Sequence, residues 1–226
     1  MRLAWATDIH LDFLADDDVR RFADEIAATG ADGLIVSGDL SNASAIVHHL
    51  RLLGERFARP LWFVLGNHDY YGGGIADVRA AVRRLCLGHR SVRWLPDAGV
   101  VPLTADAAMI GVDGWADARL GAPARTPIVL NDFVQIADLV AELDPTARAR
   151  PRLLVGADRS RLHARLRALA DAEAAACRVL LADALARFVH VVVATHVPPF
   201  ADACWHEGRL SDDDWLPYFT CAAVGA

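Results

Sequence analysis

Side chains that bind metal ions follow several short apolar runs of this sequence. They are aspartate, histidine and asparagine residues: Asp8, His10, Asp39, Asn67, His68, Asp69 and His196. Each stands at or just beyond the end of an apolar run that is typical of a buried strand. Carboxylate, imidazole and amide donors without thiolates suit manganese, iron or zinc better than a soft metal ion. The pattern therefore predicts a metal centre.

The spacing of these residues supports this prediction. Asp8 and His10 are two positions apart, so in an extended backbone their side chains point to the same side. Gly38 and Gly66 allow sharp turns directly before Asp39 and Asn67. One carboxylate can bridge two cations about 3.5–4 Å apart, which together clamp the oxygens of an in-line displacement. Taken singly, Asp-x-His and Gly-Asp are also common turn sequences, but their repeated position after strands favours a site.

The elements that must hold these residues alternate between strand and helix patterns, as in a layered βαβ fold. Strands are predicted over residues 3–7, 33–37 and 61–65, with helices starting near 16 and over 43–57 and 75–87. Further strands over 92–94, 100–103 and 107–112 predict a second sheet with antiparallel pairing. Helices over 131–143 and 160–186 and a strand over 188–194 follow. The ends of such strands meet at one rim, where ligands bind.

Composition restricts the class of protein. The chain has 226 residues, of which 54% are hydrophobic, enough for one α/β domain with a large core. A net charge of −6 argues against a nucleic-acid-binding protein. The four cysteines form no CxxC pair, which favours free thiols in a reducing compartment. Neither a signal peptide nor a membrane-spanning apolar run is found, so a cytoplasmic protein is predicted.

The order of the motifs resembles a known family. Asp8-x-His10, Gly38-Asp39, Gly66-Asn67-His68-Asp69 and Thr195-His196 resemble the successive motifs of the calcineurin-like metallophosphoesterases. The resemblance covers nearly the whole chain and implies a single domain over residues 1–226. The implied fold is a four-layer α/β/β/α sandwich of two packed mixed sheets flanked by helices.

The resemblance also implies a site and a reaction. Asp8 and His10 would bind the first of two divalent or trivalent ions (manganese, iron or zinc), and Asp39 would bridge both. Asn67 and His196 would bind the second ion. A metal-bound hydroxide would attack phosphorus in line. His68 would stabilise the transferring phosphoryl group or protonate the leaving oxygen, and Asp69 would orient it. The substrate would be a small molecule or a phosphoprotein, as a monoester or diester, and the oligomeric state is left open.

One departure from the family pattern leaves alternatives open. The closing Gly-His-x-His motif is missing, and the only histidine after His196 is His206. A missing C-terminal segment is the simplest explanation, and the resulting hypothesis is that this form binds metal loosely and is weak or inactive. A catalytically impaired scaffold protein on the same fold is one alternative, which the intact Gly66–Asp69 motif opposes. A nuclease of the same superfamily is another, which the acidic composition opposes.

Overall fold

The structure is a computed structural model that describes residues 1–146, 154, 157–206 and 208–226. The chain forms two units. The first comprises residues 1–113 and 177–196, and the second comprises residues 114–176 and 197–226. The prediction of one domain over residues 1–226 stays a prediction.

A parallel sheet forms the base of the first unit. Its elements are β1 (Leu3–Ala6), α1 (Asp16–Ala28), β2 (Gly33–Ser37), α2 (Ile46–Phe57), β3 (Leu61–Val64), α3 (Ile75–Gly88) and β4 (Val92–Trp94). The strand order is β1-β2-β3-β4, and all pairs are parallel. Every residue of β2 and β3 is buried, as expected for central strands of a parallel sheet. The carboxyl ends of β1, β2 and β3 therefore lie at the same edge.

Helices α1 and α2 pack against each other beside this sheet. Val19, Ala23 and Ile26 form the buried face of α1, with the spacing of an amphipathic helix. The first turn of α2 follows Asn42, whose side-chain oxygen accepts hydrogen bonds from the backbone N–H groups of Ser44 and Ala45. Asn42 therefore stabilises the turn that precedes α2, whose own N-cap residue, Ala45, makes no side-chain capping hydrogen bond.

A smaller sheet completes the first unit. After α4 (Leu95–Ala98), it consists of β5 (Val101–Pro102), β6 (Ala107–Gly111) and β7 (His190–Ala194). Strands β5 and β6 are antiparallel, as predicted, whereas β6 and β7 are parallel. The assignment of Val92–Trp94 to this sheet was wrong, because the strand pairs with β3 in the first sheet. Helix α3 makes a full crossover, which returns the chain parallel to β3.

The two sheets share one hydrophobic core. Side chains from both sheets and from α4 meet in a single buried cluster: Ile35, Trp62, Val64, Leu95, Val101, Met109 and Ala194. This confirms an α/β fold of two packed sheets with flanking helices. The first sheet is wholly parallel, however, and only the second is mixed.

The second unit is mainly helical. Its elements are α5 (Asp132–Gln135), α6 (Ala137–Val140), α7 (Ser160–Leu185), β8 (Trp205–His206), β9 (Arg209–Leu210), α8 (Leu216–Phe219) and α9 (Ala222–Gly225), with α7 continuing into the first unit at Cys177. The single helix predicted over residues 131–143 is divided into α5 and α6, because Ile136 has an extended backbone. The long predicted helix is confirmed as α7. Within the described residues, no helix has both the length and the apolar character needed to cross a membrane.

Candidate metal centre

The loops that follow β1 and β2 are joined by backbone hydrogen bonds. The N–H of Asp8 donates to the carbonyl oxygen of Gly38 at 3.2 Å, and the N–H of His10 donates to that of Asp39 at 3.0 Å. These bonds continue the parallel pairing of the two strands beyond the sheet. As a result, the predicted ligands on both loops lie side by side.

Three of the predicted ligands have a left-handed backbone. The φ angles are 52° for Asp8, 40° for His10 and 52° for Asp39. This conformation costs a non-glycine residue about 1–3 kcal/mol and is concentrated at functional sites. The Asp8–His10 segment is therefore not extended, so the prediction that both side chains project to one side of a strand was wrong.

The carboxylate of Asp39 lies at the middle of the centre and is buried. Its Oδ1 atom accepts a hydrogen bond from the backbone N–H of His68 at 2.9 Å and lies 3.4 Å from Nε2 of His196. Its Oδ2 atom lies 4.0 Å from Nε2 of His10 and 4.0 Å from Nε2 of His68. Each oxygen of Asp39 therefore faces a different group of imidazoles.

Hydrogen-bond acceptors face one another around His196. Its Nδ1 atom lies 2.9 Å from the carbonyl oxygen of Ser37, which can only accept, so Nδ1 carries the proton in a neutral ring. The Nε2 atom then has a lone pair, yet it lies 3.0 Å from Oδ1 of Asn67 and 3.4 Å from Oδ1 of Asp39. A cation between these three acceptors would satisfy all of them. The residues present therefore fit a metal ion.

The structure groups the metal-binding atoms into two clusters that share Asp39. Asp8 and His196 form one cluster with Asp39, and His10 and His68 form the other. Within each cluster the potential ligand atoms lie within 4.8 Å of one another. The prediction pairs Asp8 with His10 at one ion and gives His68 no ligand role, and this assignment stays a prediction.

Asp69 is fully buried and connects two loops of the centre. Its oxygens accept hydrogen bonds from the backbone N–H groups of Ser41 at 2.7 Å and Gly66 at 2.8 Å. Burial raises the pKa of its carboxyl well above the ordinary value, as does the charge of Asp39, against the lowering effect of the two hydrogen bonds. The expected contact with His68 does not occur among the described residues. Asp69 instead holds the loops after β2 and β3 together.

The ring of His68 is held by its aromatic neighbours. It stacks on Tyr71 with centroids 4.2 Å apart and an interplanar angle of 26°, and its centroid lies 4.7 Å from that of His10. About a third of the side chain is exposed, at 36%. His68 is thus oriented by stacking and is accessible from solvent.

Two glycines make the close packing of the centre possible. A Cβ atom on Gly66 would lie 2.1 Å from Oδ1 of Asp39, and one on Gly38 would lie 2.4 Å from Nδ1 of His196. Both distances are far below van der Waals contact. The predicted requirement for glycine before Asp39 and Asn67 is confirmed, since Gly38 also has a φ of 97°.

Sequence reasoning overlooked one buried carboxylate, Asp113. It follows β6 and accepts hydrogen bonds at 2.8–3.0 Å from the backbone N–H of Leu65, Nε1 of Trp94, the hydroxyl of Tyr70 and the guanidinium of Arg79. Its own carbonyl oxygen accepts the backbone N–H of His196 at 3.0 Å. Asp113 therefore fixes the end of β3 and the backbone of His196. A polar residue after an apolar strand was the signal that could have revealed it.

The sequence matches the model of the calcineurin-like phosphoesterase family over residues 1–224. The chain belongs to this family. Membership supports a metal-dependent phosphoester hydrolase, and the clustered aspartate and histidine side chains supply ligands for the metal that the family implies. No curated protein sequence matches significantly.

Two solved structures share the fold of this calcineurin-like phosphoesterase. A phosphopantetheinyl hydrolase from Mycobacterium tuberculosis is 19% identical with a TM-score of 0.59, and the match covers 98% of this chain and 76% of that one. A dimetal phosphatase from Danio rerio is 10% identical with a TM-score of 0.54, and the match covers 99% of this chain and 76% of that one. At these identities the similarity establishes the fold alone.

Proposed function

We propose that this calcineurin-like phosphoesterase hydrolyses small-molecule phosphoesters at a two-metal centre bridged by Asp39. The observation that carries the proposal is the pair of ligand clusters that share the buried carboxylate of Asp39. The distances of 3.0 Å and 3.4 Å from Nε2 of His196 to Oδ1 of Asn67 and Oδ1 of Asp39 support it, because a cation between these three atoms would satisfy all of them. The donor set suits manganese, iron or zinc.

The first unit supplies every residue in this proposal. Asp8, Asn67 and His196 would hold one ion and His10 the other, with Asp39 shared. Bound there, the two ions would supply Lewis acidity and an activated water for in-line attack on phosphorus. The loops after β1, β2 and β3 hold these side chains in place through backbone hydrogen bonds to one another and to Asp69.

We assign His68 to the leaving group or to the transferring phosphoryl group. Its ring is exposed enough to touch a substrate and is fixed in plane by Tyr71. A positioned imidazole acting as a general acid contributes about 10²–10⁴-fold to rate. Asp69 serves as a positioning residue that acts through the backbone of the loop that carries His68.

A small-molecule substrate is proposed ahead of a phosphoprotein. The structural relative from Mycobacterium tuberculosis is a phosphopantetheinyl hydrolase, and its name points to a small organic group on the phosphoester rather than a phosphorylated side chain. The net charge of −6 also opposes a polyanionic nucleic-acid substrate. Both monoesters and diesters belong in the first test.

The test measures hydrolysis of an aryl phosphate and an aryl phosphodiester with Mn²⁺, alongside the bound metal. His68→Gln should lower kcat by about a hundredfold or more while bound metal is retained. His89→Gln, at the end of α3, is the matched control and should behave as the wild type. Equal turnover in His68→Gln would reveal a contaminant, and loss of metal in that variant would make His68 a ligand. Metal binding without turnover in any form would favour the scaffold alternative.

A further inference from the structure

Three further side chains of types that can bind a metal ion meet where the first turns of α1 and α2 come together. Asp16 is the first residue of α1, and His48 and His49 lie in the first turn of α2. One carboxylate oxygen and one nitrogen of each imidazole lie within 4.8 Å of one another. The Oδ1 atom of Asp16 lies 2.8 Å from Nε2 of His48, and the two imidazole centroids are 5.3 Å apart. None of these residues belongs to the centre around Asp39.

His49 is already prepared to act as a ligand. Its side chain is buried, and its Nδ1 atom forms a 2.7 Å hydrogen bond with the hydroxyl of Ser41, which fixes the plane of the ring. Hydrogen bonds of this type orient histidine ligands in metal sites.

The surrounding charges favour a cation. Asp12 lies close enough to act electrostatically on His49, and its Oδ1 atom is buried with no hydrogen-bond partner among the described residues. Arg20 opposes a cation, since its guanidinium lies 3.9 Å from Asp16, but its shorter contact, at 2.7 Å, is with Asp17. Arg20 contacts Oδ2 of Asp16, whereas His48 contacts Oδ1.

We propose that Asp16, His48 and His49 form an additional metal site that takes Zn²⁺, Co²⁺ or Ni²⁺. Two imidazoles and one carboxylate are the ligand set that these ions prefer, whereas Mg²⁺ and Ca²⁺ prefer oxygen ligands alone. Water would complete the coordination, as in three-ligand zinc sites. The ion would connect the first turn of α1 to the first turn of α2.

The first test is equilibrium dialysis of the full chain against Zn²⁺ near pH 7.5. His48→Gln should bind one equivalent less than the wild type, or bind that equivalent at least about tenfold more weakly. His190→Gln is the matched control, because His190 is also an exposed histidine but lies on β7 outside every ligand cluster. This control should retain the wild-type stoichiometry.

A second set of variants distinguishes loss of this site from loss of the Asp39 centre and from misfolding. Asp39→Asn should retain the zinc equivalent that depends on His48, and should retain a visible Co²⁺ absorption band that is lost when His48→Gln is added. Asp16→Asn should weaken the same equivalent, and unfolding in EDTA checks that each variant folds. Identical zinc binding by wild type and His48→Gln would overturn the proposal, as would an equal loss in His190→Gln. Neither measurement depends on phosphoesterase turnover.

Discussion

The candidate metal centre of the first unit and a buried network in the second unit each place a histidine among other polar side chains. In the centre, Nε2 of His196 lies 3.0 Å from Oδ1 of Asn67 and 3.4 Å from Oδ1 of Asp39, and both oxygens are acceptors. In the second unit, Arg159 donates to the carbonyl oxygens of Thr126 and Ile128. Donors match acceptors there, so the network is complete without a ligand.

The second network is centred on the hydroxyl of Tyr218. Arg159 donates to this hydroxyl at 2.8 Å, and Nε2 of His163 lies 3.1 Å from it. Tyr218 also packs edge-on against Phe133, with centroids 5.1 Å apart. Satisfied buried networks of this kind rigidify a core. The comparison indicates that an excess of acceptors, rather than polarity or burial alone, marks a cation site.

Of the substitutions considered, Asp39→Asn should have the largest effect on metal binding and turnover. The change removes the shared charge, so binding of both ions and turnover should fall, the latter by about a thousandfold. Near pH 8 the metal-free protein should be as stable as the wild type or more so, because a buried carboxylate among acceptors is lost. Bound metal, kcat/KM and urea unfolding in EDTA measure these effects. Asp24→Asn, at an exposed ion pair with Arg56, is the control. If metal-free Asp39→Asn were much less stable than the metal-free wild type, Asp39 would stabilise the fold without a cation, contrary to this prediction.

Gly66→Ala should destabilise the first unit by about 3 kcal/mol, because the new Cβ atom would overlap Asp39. Metal binding should weaken as well, since Asp39 must move to relieve the overlap. Gly88→Ala at the end of α3 is the matched control, with no atom within 4 Å of its Cβ position. Thermal unfolding with and without Mn²⁺ checks both effects. Equal stability of the two variants would show that the centre is loosely packed.

Acid should destabilise the protein by protonating His163, which belongs to the buried network around Tyr218. Burial, aided by the charges of Arg159 and Arg167, lowers the pKa of His163 from 6.5 to about 4. Between these values the unfolded chain binds a proton that the folded chain does not, so stability falls as the pH falls from 6.5 towards 4. The loss from this group is on the order of 2–3 kcal/mol. Urea unfolding at pH 7 and pH 4.5 should show a smaller difference for His163→Gln than for wild type, and an unchanged one for His190→Gln. An identical acid sensitivity in all three would refute the assignment.

Tyr218→Phe should have the smallest effect, a loss of about 1–2 kcal/mol. It leaves Arg159 with one acceptor fewer and removes the partner of His163, and an unsatisfied buried group is costly. Metal binding by the Asp39 centre should be unchanged, because no ligand is altered. Chemical unfolding and metal titration test the two statements together. A loss of metal affinity would mean that the two networks are coupled.

The sequence was sufficient to predict three strands of the first sheet and the polar residues that meet at its edge. Each ligand follows an apolar run, and the topology of a parallel sheet brings such positions to one edge. The same rule applies to Asp113 after β6, which was overlooked because it has no adjacent histidine or aspartate partner. Its role is visible only through partners far away in the chain, such as Leu65 and Tyr70.

Two other features were beyond sequence reasoning for physical reasons. Asp8 and His10 have positive φ angles, whereas the apolar strand pattern before them favours a continued extended backbone. The contacts of Tyr218 with Arg159 and His163 span 59 and 55 residues and leave no local periodicity. The strand at Val92–Trp94 was assigned to the wrong sheet, because the hydrophobic pattern of three residues does not indicate which strand they pair with.

The left-handed backbone at Asp8, His10 and Asp39 has a consequence for protein engineering. Glycine adopts this conformation without steric cost, so each of these positions is one where replacement by glycine relieves strain. A library screened for heat resistance alone, in a chelating buffer, should therefore enrich glycine at the ligand positions themselves. Directed evolution of this fold therefore needs metal present during the screen. Without it, selection for thermal stability will favour variants that have lost the metal-binding side chains.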